Sequence, residues 1–282
     1  MKFVVLVVFN LLVYPGLSQD KSEIPFIRHL INKGYYNEVI YLIDRDTMHY
    51  QDLQQDSLNY FRGWAHYSLK NLEQSTLSLL EVSRESSFYW KSHFFAGYNQ
   101  VYLKNYLGAR KIFEEMDIQE NPNLSLLNFQ RAGMEMLQGN WRQAEQQLEL
   151  VNTEIATFSE QVSALAAICK KQETRTSKSP LLAGIMSGII PGTGKIYAGK
   201  TGAGIASMIG SVGFGLITWE NYQKSGIADA KTIIFGSIFV VNYVSNIYGS
   251  VISVKVSENE YNNAIQNQIL FQLHIPLRNF FE

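Results

Sequence analysis

The chain carries one cysteine, Cys169, in 282 residues. That excludes an intramolecular disulfide and a thiolate-ligated metal cluster. The surrounding SALAAICKK is apolar and helical in pattern, which makes Cys169 a small buried hydrophobe rather than a reactive thiol. Charge is scarce as well: 17% of residues are charged, below the ordinary soluble fraction of about 25%, and the formal net charge is −1. No basic tail or global field points to nucleic acid. The histidines His29, His49, His66, His93 and His274 do not pair with one another or with cysteine at ligand spacing. There is no G-x-S-x-G elbow, and paired carboxylates such as Glu114-Glu115 fall on a helix expected to be half solvated. The reading is therefore of a non-catalytic protein with neither metal nor cofactor.

The charge deficit is uneven. From Leu181 to Val254 the only charges are Lys195, Lys200, Glu220, Lys224, Asp229 and Lys231. The N-terminus has one positive charge at Lys2, the apolar run FVVLVVFNLLVY, and small residues at Gly16 and Ser18. This reads as a secretory signal peptide over residues 1–18, too short in its apolar run for a comfortable span of about 20 residues.

What the first half contains is a repeat. Asn32-Lys33-Gly34-Tyr35-Tyr36, Leu69-Lys70-Asn71-Leu72, Leu103-Lys104-Asn105-Tyr106 and Gln138-Gly139-Asn140-Trp141 recur as turns. Aligning Tyr36, Leu72, Tyr106 and Trp141 gives spacings of 36, 34 and 35 residues. Small residues precede the turns at Gly63, Gly97 and Ala132. Val39, Ser75, Ala109 and Ala144 follow them in register, then Ile43, Leu79, Phe113 and Leu148. Helix–turn–helix hairpins need small residues at close crossings and apolar residues at helical spacing between neighbours.

The pattern resembles the tetratricopeptide repeat over about Ile24–Val151, with Thr153–Lys171 covering the open edge. The first repeat departs from it at Ile27 and Asp46. The resemblance implies a solenoid with a concave surface bearing Tyr60, Trp64, Tyr67, Lys91, Phe94, Tyr98 and Tyr102. These residues either line a groove for a protein or peptide partner, where aromatics dominate binding, or pack between helices.

After the polar linker at 172–179, thirteen of the twenty glycines fall between Gly184 and Gly249. Gly194-Lys195-Ile196-Tyr197-Ala198-Gly199-Lys200-Thr201 fits G-x-x-x-x-G-K-[ST], a phosphate-binding loop in the right surroundings. Those surroundings are missing: no alternating strands and helices follow, and no strand ends in an aspartate for magnesium. A P-loop nucleotide-binding protein is a remote reading.

The favoured one takes Gly202–Trp219 and Ile227–Val254 as arms of a membrane hairpin, each long enough to cross about 30 Å, with Glu220–Gly226 as the turn. Pro180–Ile190 is then a short interfacial or re-entrant helix. The stretch holding Pro191, Gly192, Gly194, Tyr197, Gly199 and Lys200 is the turn into the hairpin, with its basic residues at the headgroups. Small residues at Gly202, Ala206 and Gly210 offer a face for helix association, so homo-oligomerisation through the hairpin, for transport or membrane-protein assembly, is the alternative function.

The string SPLLAGIMSGIIPGTGKIYAGKTGAG is similar to the S-P-x-x-A-G…P-G-x-G-Q-x-Y-x-G-[KR]…G signature of uncharacterised bacterial envelope proteins, where it follows tetratricopeptide-like repeats, and loosely to the TM2 membrane-hairpin family. Matching positions are Ser179, Pro180, Ala183, Gly184, Pro191, Gly192, Gly194, Tyr197, Gly199, Lys200 and Gly204, with Lys195 where glutamine is usual. Taken together, the sequence is expected to be all-α: repeats at 24–171, a glycine-rich membrane hairpin domain at 180–255 and a tail at 256–282. The expected role is an exported scaffold at the cell envelope, anchored by lipid contact in the inner membrane with its repeats in the periplasm. One tension follows: Arg175, Lys178, Lys195 and Lys200 would then face outward, against the positive-inside rule.

Overall fold

The structure is a computed structural model that describes residues 23–45, 52–119, 122–154 and 156–281. The expected signal peptide and Asp46 lie outside them. Among the described residues the fold is all-α, with thirteen helices and no strand. The chain divides into two compact units, Met1–Leu103 and Lys104–Glu282.

In the first unit, α1 (Ile24–Lys33) and α2 (Tyr36–Arg45) are followed by α3 (Asp52–Ser68), α4 (Leu72–Leu80) and α5 (Tyr89–Tyr102). Helix α4 packs on both α3 and α5. At Gly63 the α3–α4 crossing is so close that a Cβ would lie 2.6 Å from Leu79 Cγ. The second unit opens with α6 (Tyr106–Glu115), α7 (Asn123–Leu137), α8 (Trp141–Glu149) and α9 (Ala156–Glu173). All eight apolar or small positions read from the repeat are buried, from Val39 and Ile43 to Ala144 and Leu148.

The repeat turns share a backbone device that the sequence only half reveals. Two residues before each aligned position the chain is left-handed: Gly34 (φ +79°), Lys70 (+66°), Lys104 (+61°) and Gly139 (+82°). At the turns after α1, α3 and α7 two reversed hydrogen bonds close the helix, as in Asn140 N–H to Glu135 O and Gly139 N–H to Met136 O. This is the Schellman ending, which satisfies orphan carbonyls at a helix C-terminus.

The second unit continues with α10 (Pro180–Ile189), the short α11 (Thr193–Tyr197), α12 (Thr201–Ser225) and α13 (Ala230–Phe280). Helices α12 and α13 are long and apolar enough to cross a membrane, and α10 is a shorter apolar helix. Gly226 (φ +81°) ends α12, and the Asp229 carboxylate caps α13 by accepting from the Lys231 and Thr232 amides. The contacts Gly215 with Phe239 and Ser211 with Asn242 fix α12 and α13 as antiparallel neighbours.

The segment after 255 is not a separate tail. Helix α13 runs through it unbroken for 51 residues, about 75 Å at 1.5 Å per residue. Its first half lies against α10, α11 and α12, and its second half packs on α7 and α9. Ile265, Ile269, Leu273 and Leu277 form the buried stripe. Gly133 of α7 leaves the room that Leu273 fills, and Gln130 Nε2 donates to the Leu273 carbonyl at 3.0 Å. One helix thus ties the last repeat helices and the apolar helices into one unit.

Candidate functional site

The glycine motif is the most tightly built part of the second unit. Ser179 caps α10, its Oγ accepting from Leu182 N–H, and Pro180 fills the first turn, where its missing N–H costs nothing. Pro191 stops the helix. Gly192 is left-handed at φ +91°, and a Cβ there would overlap the carbonyl oxygen of Gly204. A Cβ on Gly194 would overlap the carbonyl of Ala183. These glycines let three helix backbones cross at contact distance, a role only a residue without a side chain can fill.

A chain of polar groups runs through the crossing. Gly194 N–H donates to Ser187 Oγ (2.9 Å), Ser187 and Ser250 share a hydrogen bond (2.7 Å), and Ser250 Oγ–H donates to the Asn246 carbonyl (2.8 Å). Because the Ser250 proton is engaged on Asn246, Ser187 donates to Ser250. Beside it, Tyr197 packs on Ala183, Ala198 and Val254, and its hydroxyl accepts from Ser179 N–H at 3.1 Å. The expected simple turn at 191–200 is corrected: residues 193–197 form α11, and only Pro191-Gly192 and Ala198-Gly199 turn.

Those residues do not cradle a phosphate. Gly199 is left-handed at φ +90°, its N–H donates to Ile196 O, and Lys200 N–H donates to Lys195 O. This is the same Schellman ending as at Gly139-Asn140, so the Walker-like letters Gly-Lys-Thr here encode a helix–turn–helix junction. The Gly199 and Lys200 amides are bonded to backbone carbonyls rather than open to a phosphate, and Lys200 Nζ pairs with Glu260 at 3.0 Å.

The basic residues that troubled the topology are largely engaged. Arg175 pairs with Glu258 at 2.6 Å and lies 3.8 Å from the centre of the Tyr261 ring, while Lys178 N–H donates to Glu258 at 3.3 Å. Burial alone would raise the Glu258 carboxyl pKa. The Arg175 and Lys178 hydrogen bonds and charges outweigh burial and hold it below its ordinary value. Lys195 is different: its ammonium donates to Ser207 Oγ at 2.6 Å and meets no carboxylate among the described residues.

The aromatic row of the first unit divides. Tyr60, Tyr67, Phe94 and Tyr98 are buried, so as groove-lining residues they are corrected to core. Tyr60 stacks on Phe88 at 4.3 Å, and Tyr67 meets Phe95 edge-on at 5.0 Å. Burial raises the Tyr60 and Tyr98 hydroxyl pKa values, so neither is an acid–base group near neutrality. Trp64 and Lys91 are half-buried, with Lys91 Nζ 4.9 Å from the centre of the Trp64 ring, and Tyr102 is exposed. The sequence did not single out Phe88 or Phe95. Both complete the ring cluster, and the five Phe, Tyr and Trp rings within Phe88–Phe95 were the available signal.

The second unit has several clefts, of which two differ sharply in character. An apolar groove of about 850 Å³ lies between α12 and α13 on the turn side, floored by Gly215 and Gly236 and walled by Trp219, Tyr222, Ile233 and Val240. A polar cleft of about 390 Å³ lies among α6, α7 and α8, where Arg110 pairs with the buried Glu135 and Arg131 donates to the Phe113 carbonyl. No group of three or more metal-ligating side chains occurs among the described residues. No protein-family model matches the chain, and no curated protein or solved structure matches it significantly.

Proposed function

We propose that this chain is a membrane-anchored, non-catalytic scaffold of the bacterial cell envelope: a tetratricopeptide-like solenoid that holds a protein partner, fixed to the bilayer by the α12–α13 hairpin. The observation that carries the anchor is the exposure of its apolar helices. In the most apolar 18-residue windows only 11% of α12 and 17% of α13 is buried. A core helix of a soluble protein would be mostly buried, and a signal sequence would lie at the N-terminus. Hydrocarbon satisfies such surfaces.

Residues 201–219 of α12 extend about 28 Å at 1.5 Å per residue, close to the bilayer core of about 30 Å. Trp219 and Tyr222 then mark the far interface, and the near interface carries Arg175, Lys200, Glu258 and Glu260. Arg175 and Lys200 pair there with Glu258 and Glu260. An orientation with the repeats on the exported side still runs against the positive-inside rule, which counts Lys and Arg rather than net charge. Helices α10 and α11 dip into the near leaflet as a re-entrant pair, their turn backbone covered by α12 and α13 as nonhelical backbone at that depth requires.

For the partner surface, Trp64, Lys91 and Tyr102 are the accessible remainder of the aromatic row. Sodium carbonate extraction tests the anchor: the protein stays in the membrane pellet, and release into the supernatant refutes it. A second reading, an oligomerising hairpin, draws on Gly202 and Gly213, which face open space. Cross-linking in bilayers that yields only monomer removes it.

A further inference from the structure

We infer that the seam between α11, α12 and α13 is a binding site for a phosphate group, built on Lys195 and Asn246. The inference rests on the membrane reading only for where the site lies. The motif holds α11 so that the Lys195 side chain enters the seam. A Cβ on Gly249 of α13 would lie 3.3 Å from Lys195 Cε, so that glycine forms the slot, and Ser207 of α12 accepts the ammonium's one side-chain hydrogen bond. Counted along the helices, Ser207 is seven residues beyond Lys200 and Gly249 nine residues before Glu258. The counts place the ammonium about 10–13 Å below the level of the near-interface charges.

A cation at that depth is a functional feature by default, and it normally has a counter-charge. Arg175, Lys200 and Lys224 have theirs in Glu258, Glu260 and Glu220. Lys195 has none among the described residues. The second observation is independent of it. Asn246 lies one turn from Gly249 on the same helix and is only 3% exposed, yet both its Nδ2 and its Oδ1 lack a hydrogen-bond partner. A buried carboxamide without partners is expensive in protein and more so in lipid. The register that pairs Ser211 with Asn242 brings Ser207 level with Asn246 one turn on.

An ammonium with unused donors and an unpaired amide N–H₂ together ask for an anion with several acceptor oxygens, while the amide oxygen can take its hydroxyl. A phosphate group supplies the acceptor oxygens, and the hydroxyl comes from inorganic phosphate itself or from the glycerol of a phosphatidylglycerol headgroup. Half-exposed Lys195 is the entry, and the source is either an anionic lipid headgroup or free phosphate.

Calorimetric titration of the full chain in maltoside micelles tests this with three probes: dihexanoyl phosphatidylglycerol, inorganic phosphate and dioctanoylglycerol. Phosphatidylglycerol, inorganic phosphate or both bind the wild type, and competition between them tells which source the site takes. Lys195→Gln weakens binding about ten- to a hundredfold, the size expected for a charge-assisted hydrogen bond. Lys195→Arg retains most of it, and Asn246→Ala loses several-fold. Helical content by circular dichroism accompanies each variant; should Lys195→Gln unfold, Asn246→Ala and Lys195→Arg carry the comparison. Equal binding by the wild type and the variants, equal binding of dioctanoylglycerol, or no binding of either phosphate probe overturns the site. Micelles require no bilayer, so a chain that carbonate releases from membranes would refute the anchor and still report on the site.

Discussion

The repeat helices and the two long C-terminal helices use the same aliphatic side chains in opposite ways. In α4, α6 and α8, Leu79, Phe113 and Leu148 recur on one stripe and are at most 4% exposed. In α12 and α13, Ile209, Val241 and Ile233 stand 68%, 66% and 55% exposed on helices that are apolar nearly all round. A one-sided stripe is built to bury against a neighbouring helix, whereas an all-round apolar surface left open is built for a solvent other than water. Under the proposed anchor, the halves differ in the medium each faces, and the glycine motif is where the chain passes from one to the other.

The comparison can be broken first at the motif. Gly194→Val collides with the Ala183 backbone, which cannot move aside, so the α10–α11 crossing is lost, at more than about 4 kcal/mol. Gly213→Val meets open space and leaves thermal stability in detergent unchanged. Matching melting temperatures for the two variants would contradict the packing role of the motif.

Truncation separates the two media next. Leu79→Ala costs about 2–5 kcal/mol by denaturant titration. Val241→Ala, at a surface the protein does not bury, stays within about 0.5 kcal/mol in micelles.

Smaller again is the Glu258 latch. Its carboxyl pKa is depressed in the fold, so its contribution is fully present above the unfolded value of about 4.3 and vanishes as pH falls through the folded value. Wild type is therefore more stable than Glu258→Gln at pH 7, and the gap closes on acidification below pH about 4. A gap of the same size at every pH from neutral down to the acid limit of the fold would show the latch to be packing rather than charge.

The smallest effect distinguishes the turns. Lysine in the left-handed region costs about 1–2 kcal/mol, so Lys70→Gly stabilises its turn by up to about 1 kcal/mol after loss of the Lys70 contact with Tyr67. Gly199→Lys destabilises the corresponding junction by a similar amount. Both are read as shifts in melting temperature.

Much of this architecture was legible because its markers are local. The turns at Gly34 and Gly139 announce themselves, and the buried positions Ser75 through Leu148 follow from helical spacing. Lys70 and Lys104 gave no sign of left-handed backbone, since lysine has no preference for it. The aromatic row was ambiguous because rings at helical spacing look alike whether they face a groove or fill a core; only the packing of Phe88 and Phe95 from neighbouring turns separates them. Helix α13 hid for a different reason. Its polar stretch SENEYNN reads as a break, but its continuation is stabilised by contacts as distant in sequence as Gly133 with Leu273. The Walker-like match misled because a Schellman ending also selects glycine followed by a polar residue. Lys195 entered the sequence reading as a basic residue and as a departure from a motif, with no local signal to tie it to Asn246.

Sided thiol labelling tests the central claim most directly. Cys169 is buried, and burial together with Glu145 and Glu173 pushes its thiol pKa up to about 11, so it stays silent to a maleimide at neutral pH. Glu149→Cys on α8 and Gln223→Cys at the α12–α13 turn place exposed thiols at the two ends of the second unit. With a membrane-impermeant maleimide, one of the two is labelled in sealed membranes, and the other only after the membranes are opened. Labelling of both from the same side in sealed membranes would contradict a hairpin that crosses the bilayer.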